Sequence, residues 1–243
     1  MNPNPSSNLT RSREAADSRA LATLKIDVIA DLVCPWCWLG KRQLDDALLA
    51  VRGPTRLSWY PFRINPGVAG SGMRFRDYLA SRFGDAEAFE SGLEDLILAG
   101  KAEGISFRFE RLSTIPDTLG AHRLLKLAEA DGAALSTVAE SLFRGYLEEG
   151  LDLADHDVLL ELGRRTGLSA ARLKRSLADE TSRQLVLSQD AQIRKSGLTG
   201  VPNFLVNKRL FVIGAQSTEA LVNVFDRAMF GEESDRPVST VLH

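Results

Sequence analysis

The chain's 243 residues set 30 lysines and arginines against 32 aspartates and glutamates, a formal charge of −2, too balanced to announce a nucleic acid or other polyanion as partner. At roughly 150 residues per domain, the length suits either one large domain or one domain with a sizeable insertion, and 44% apolar residues supply its core. No apolar run approaches the roughly 18–20 residues that cross a bilayer, and the first twenty residues lack the apolar stretch of a secretory signal, so no membrane is expected and the reducing cytoplasm is the expected compartment.

Residues 1–21 mix Asn, Pro, Ser and charge with no hydrophobic period and read as a disordered arm. From Leu24 to Val33 the sequence LKIDVIADLV reads as a mostly buried strand, ended by Cys34 and Pro35. Leu44, Ala47, Leu48 and Val51 then recur at helical spacing until Gly53-Pro54, and Arg56 to Phe62 reads as a second strand. The piece GVAGSG at 67–72 lacks the Lys-Ser/Thr of a phosphate loop and reads as a connector.

Apolar side chains next recur at helical spacing through Ala121–Ala128, Leu135–Tyr146, Val158–Leu162 and Leu173–Leu177. Asp117 or Thr118, Ser136, Asp155 and Ser169 are expected N-caps, and Gly132, Gly150, Gly167 and Gly197 expected stops. Strand character returns in VPNFLV and RLFVIG, joined by a tight turn at Asn207-Lys208. A last helix follows Ser217. The order β-α-β, helical insert, β-β-α divides the chain into an arm (1–21), an α/β unit in two parts (22–65 and 197–231), an all-α insertion (66–196) and a tail (232–243). The end segments must share one sheet, because neither has enough strands to close a core.

Cys34 and Cys37 are the only cysteines. Cys-Pro-Trp-Cys falls where a strand gives way to a helix, placing the first sulfur beside free N–H groups and the positive end of the helix dipole, a setting that favours its thiolate. Cys37, one turn on, can attack a mixed disulfide on Cys34. Cys34 is therefore the expected nucleophile and Cys37 the resolving thiol, with Pro35 suited to the first helical turn. A zinc site would need two further ligands, with only His122, His156 and His243 as candidates beyond the cysteines; no metal is expected. Trp36, between the cysteines, is an expected substrate contact. Lys41 and Arg42 read as solvated charges.

DLVCPWCWLGKRQLDDAL resembles the active-site segment of the DsbA family of thioredoxin-fold proteins, in its cytosolic FrnE-like branch. PFRINP at 61–66, TLGAHRLLKLA at 118–128 and GLTGVPNFLVNKRLFVIGAQ at 197–216 extend the likeness. The resemblance implies a thioredoxin-like fold with an all-α insertion, a cis Val201-Pro202 peptide, and a substrate-binding role for Val201 and Pro202. Three positions depart from the pattern. Asp117 stands for the family's usual Asn, Trp36 stands where periplasmic members carry His, and Val28 occupies the place of the buried acid that thioredoxins set six residues before the first Cys. Asp31 is the candidate to replace that acid, although strand alternation does not separate it from Asp27. His122 is a second candidate supporting residue.

The implied activity is thiol–disulfide oxidoreduction, reducing or isomerising disulfides of a protein or small thiol substrate, with no bound cofactor and with glutathione as redox partner. Glutathione-dependent isomerases and transferases of this fold, similar to 2-hydroxychromene-2-carboxylate isomerase, are one alternative, but they usually carry Ser at the position of Cys34. A redox-inert chaperone is the other.

Overall fold

The computed structural model describes residues 22–68, 72–83 and 86–231. The expected arm (1–21), the expected tail (232–243) and the middle of the 67–72 connector lie outside the described residues. Strand β1 (Leu24–Ala30) is buried along nearly its whole length. It pairs in parallel with β2 (Thr55–Pro61), register Leu24↔Thr55 to Ala30↔Pro61. The connection is helix α1 (Pro35–Leu49), making a β-α-β unit. On its other edge β1 pairs antiparallel with β5 (Asn203–Val206), Ile29 opposite Asn203 and Ile26 opposite Val206, and β5 pairs with β6 (Leu210–Ile213). The sheet order β2-β1-β5-β6 thus joins the two ends of the chain in one sheet.

β1 stops at Ala30, three residues before the expected end. Asp31 turns the chain: its Oδ1 accepts from the Leu32 N–H at 2.8 Å and its carbonyl from the Cys34 N–H at 3.2 Å. In the three-residue β5–β6 connection, Asn207 and Lys208 have φ of 50° and 58°, the left-handed pair at the centre of a tight turn that the Arg209 N–H closes on the Val206 carbonyl at 3.0 Å. Asn207 also ties the turn down, accepting from the Lys25 N–H and donating to the Ala228 carbonyl.

Between the halves of the sheet lie α2 (Phe75–Phe83), α3 (Ala86–Ala102), α4 (Leu119–Ala130), α5 (Leu135–Leu147), α6 (His156–Arg165), α7 (Ala170–Ala178) and α8 (Glu180–Lys195); α9 (Thr218–Phe230) closes the chain. The region is not wholly helical as expected, since β3 (Met73–Arg74) and β4 (Thr114–Ile115) form a short antiparallel ribbon within it. α9 packs on α1 and on β1 and β5, while α4 and α8 lie against β2.

Helix starts follow the expected caps except at one place. Asp155 accepts from the Asp157 N–H at 2.8 Å. Thr118 holds the N-cap position of α4, but Asp117 supplies the oxygen, to the Leu119 N–H at 3.0 Å. Ser169 caps α7 by position alone. Ser136 does not cap α5: Ala134 is the N-cap, and the Ser136 hydroxyl instead donates to Asp45 of α1 at 2.6 Å. A serine near a helix start serves whichever acceptor packs nearest, and here a carboxylate from another helix prevails.

Candidate redox site

Cys34 is the N-cap of α1 and Pro35 its first residue. The Cys37 N–H is taken by the Cys34 carbonyl at 3.0 Å and Pro35 has no N–H, so the several free donors expected near the sulfur reduce to that of Trp36. Both cysteines are free thiols and both are buried. The Cys34 sulfur lies 3.9 Å from the Val201 carbonyl, across 167 positions of sequence, because β5 returns beside β1. The Val201-Pro202 peptide is cis, as the resemblance implies. Gly40 allows α1 to close on this segment: a Cβ there would lie 3.2 Å from Pro202 Cγ and 3.3 Å from the Phe204 ring.

Cys37 is more deeply enclosed. Burial pushes its thiol well above the ordinary range, the hydrogen bond and charge of Cys34 push the same way, the Asp31 backbone opposes, and the Asp31 charge adds to the rise. The two sulfurs therefore differ in kind: one opens on a cavity, the other is held protonated behind it.

The structure separates the two aspartates. Both are buried, but Asp27 binds Lys208 of the β5–β6 turn, whereas the Asp31 charge acts on Cys37. The Asp31 carboxylate accepts from the Leu32 and Ile64 N–H groups at 2.8 and 2.7 Å and meets His122 Nε2 at 3.2 Å. His122 is likewise buried, and its Nδ1 has no partner among the described residues. Both candidate supporting residues thus come together, beneath the thiols and not at the surface.

Trp36 is 45% exposed beside the cysteines, while Trp38 is fully buried, stacked on Phe143 and edge-on to Phe107. Lys41 is not solvated. It is buried and contacts Glu140 and Asp45, each at 2.7 Å. Arg42 reaches the same Glu140 at 2.6 Å, and the Trp38 indole N–H donates to it at 3.0 Å. Glu140 of α5 is therefore the acceptor that ties the active-site helix to the insertion. Sequence reasoning missed it; the i,i+4 spacing of Lys41 and Asp45 was a legible hint that Lys41 has partners.

A second ionic cluster surrounds Arg63, whose side chain meets Asp190 at 3.2 Å and Asp117 at 3.3 Å. Asp117, in place of the family's Asn, thus gains a cation as well as capping α4. Arg194 joins through Asp190 at 3.0 Å and stacks on Phe62 at 4.3 Å. Next to Cys34 opens a cavity of about 620 Å³, walled by Phe62, Ile64, Phe75, Leu79, Leu93 and Leu112, with Thr199 to Val201 along one side and, among the described residues, Arg194 as the charged side chain of its lining. Among the described residues, no cluster of three His, Cys, Asp or Glu side chains could hold a metal ion, and no helix is long and apolar enough to cross a membrane.

A dithiol at the start of the first helix of a β-α-β unit, met by a cis-proline segment from the chain's other end, defines a thioredoxin-fold thiol protein. The chain belongs to the DsbA family of oxidoreductases, since the model of the DSBA-like thioredoxin domain matches residues 25–226. Among solved structures it is similar to the probable DsbA oxidoreductase of Streptomyces coelicolor, 27% identical, covering 90% of this chain and 94% of that one with a TM-score of 0.78. It shares its fold with the cytosolic disulfide reductase DsbM of Pseudomonas aeruginosa, solved with glutathione, at 18% identity over 84% of this chain and 95% of that one, TM-score 0.56. The uncharacterized Bacillus subtilis protein YwbO is 24% identical over 88% of this chain and its own full length.

Proposed function

We propose that this protein is a cytoplasmic thiol–disulfide oxidoreductase of the FrnE-like branch that reduces or isomerises protein disulfides through Cys34 and Cys37. The observation that carries the reading is the inequality of the two sulfurs: Cys34 lines a cavity and faces a backbone carbonyl, while Cys37 lies behind it, buried and held protonated. The Cys34 thiolate attacks one sulfur of a client disulfide, forming a mixed disulfide and releasing the other client sulfur as a thiol. Cys37 then gives up its proton and attacks the Cys34 sulfur, forming the Cys34–Cys37 disulfide and releasing the reduced client. Two electrons pass to the client. Two glutathione thiols, oxidised to glutathione disulfide, return the pair to the dithiol. The solved glutathione complex of DsbM supports glutathione in that role here. Val201 and Pro202 align the client beside Cys34, Trp36 contacts it from the exposed side, and Asp31 with His122 holds the floor under the pair.

The test is a Cys37→Ser variant challenged with a disulfide-linked peptide. It should stall as a mixed disulfide on Cys34, detected by mass spectrometry, while Cys34→Ser neither traps nor turns over. Undiminished turnover in Cys37→Ser would reject the two-step exchange and favour a glutathione-dependent isomerase.

A further inference from the structure

The two-step exchange needs a destination for one proton. Cys37 must shed it before attacking Cys34, yet that residue is only 1% exposed and the negative charge of Asp31 opposes its thiolate. Water has little access to the thiol. The Asp31 backbone hydrogen-bonds the Cys37 sulfur while the Asp31 carboxylate holds His122, so a single residue links the thiol to the imidazole. The carboxylate itself is a poor resting place, because the Leu32 and Ile64 N–H groups and the ring all donate to it, and such bonds favour its charged form. They also set the ring. An ionised carboxylate only accepts, so His122 Nε2 carries the hydrogen, and the neutral ring holds a bare lone pair at Nδ1, buried and without a partner among the described residues. A buried acceptor left unmet costs free energy. A proton on Nδ1 removes that cost and cancels the charge of the pair. The other ionisable groups nearby do not compete for it. Arg63, next to Ile64, is engaged by Asp190 and Asp117. Lys126 of α4 pairs with Glu129, and Arg123 binds the Ser176 and Asp179 carbonyls. Tyr146 of α5 keeps its own proton, raised by burial and then by the Asp31 charge.

Building on the oxidoreductase reading, we propose that His122 is the proton acceptor of the resolving step: as Cys37 attacks the mixed disulfide, its proton comes to rest on His122 Nδ1, giving an imidazolium beside the Asp31 carboxylate. The Cys37 sulfur bonds to Cys34, and the client sulfur leaves with the electron pair of the broken bond. Once the disulfide has closed, His122 gives its proton to solvent and the client thiolate takes one from solvent. The insertion, through α4, thus supplies a group that the α/β unit lacks.

Stopped-flow reaction of the full-length reduced protein with dithiobis(nitrobenzoate) separates the steps, since one coloured thiolate is released when Cys34 attacks and a second when Cys37 resolves the adduct. His122→Gln keeps an N–H donor for Asp31 but has no site that takes a proton. Its first phase should match wild type, while its second slows about a hundredfold at neutral pH, the lower end of what a placed proton acceptor contributes. The slowed rate should climb in proportion to hydroxide where the wild-type rate is nearly flat. A second phase unchanged in rate and pH profile, or both phases slowed alike, would overturn the proposal and leave the two-step exchange standing. A wild type that shows no second phase ends both. Because a buried substitution can unfold the chain, nitrogen NMR of ring-labelled wild type gives an independent reading, with His122 assigned by elimination through His156→Gln and His243→Gln. An Nε2–H ring with a bare Nδ1 is expected in the reduced protein at neutral pH, and a hydrogen on Nδ1 there would sink the assignment.

Discussion

Replacing Glu140 by Gln keeps the shape of the side chain and removes the one charge that three groups of α1 share. Lys41 would keep only Asp45, and Arg42 and the Trp38 indole would lose a charged acceptor. Breaking a fully buried ion pair costs about 3–5 kcal/mol. The Glu140 side chain retains 21% exposure and Lys41 keeps one partner, so the expected loss is nearer 2 kcal/mol. Urea unfolding at pH 7 measures it. Adding Lys41→Met should recover most of the loss, because the stranded charge goes and the hydrocarbon stem stays. The pH dependence fixes the sign independently. Burial raises the Glu140 carboxyl, but Lys41, Trp38 and Arg42 outweigh it and hold it below its usual range. Its contribution is therefore fully present above the unfolded value of about 4.3 and lost as pH falls through the lower folded value. The gap between wild type and Glu140→Gln should close in acid. A loss under about 0.5 kcal/mol at pH 7, the range of an ordinary surface change, would refute the clamp.

In the native reduced protein, iodoacetamide at neutral pH should label Cys34 well ahead of Cys37, whose thiol burial holds protonated; peptide mapping that finds equal labelling contradicts the assigned roles. Asp31→Asn removes a charge that raises the Cys37 thiol, so the pH at which Cys37 becomes reactive should fall, and an unchanged profile would show that the charge is screened. Gly150→Ala should cost more than Gly132→Ala by about 1–3 kcal/mol. Both glycines have positive φ, but only at Gly150 does a Cβ meet neighbours, lying 2.8 Å from the Arg111 Cβ and carbonyl oxygen while Gly132 faces open space. Equal midpoints in thermal unfolding would mean that Arg111 yields freely.

Periodicity carried most of the fold. β1, α1 and β2 stand where alternation and helical spacing place them, and the Asn207-Lys208 turn has the backbone its residue types favour. The cysteine pair was legible because its chemistry is local, contained in four consecutive residues. What escaped depends on contacts between distant segments. Whether Lys41 is solvated was decided by Glu140, 99 residues later. The choice between Asp31 and Asp27 was decided by which met His122 and which met Lys208. The two-residue strands β3 and β4 are too short to leave any period. Ser136 looked like a cap because it opens an apolar stripe, but no local pattern reveals Asp45 beside it.

The position of β5 between β1 and β6 has a consequence for how the protein comes into being. Cys34 leaves the ribosome 167 residues ahead of Val201, the residue that β5 brings beside it. Until then β1 has one edge unpaired and the reactive sulfur lacks its companion wall. Domains built from such distant pairings close late and slowly. Any chain interrupted before residue 200 thus carries Cys34 without the Val201 carbonyl beside it and β1 without its β5 partner, so the surroundings of that sulfur are assembled only once β5 has been made.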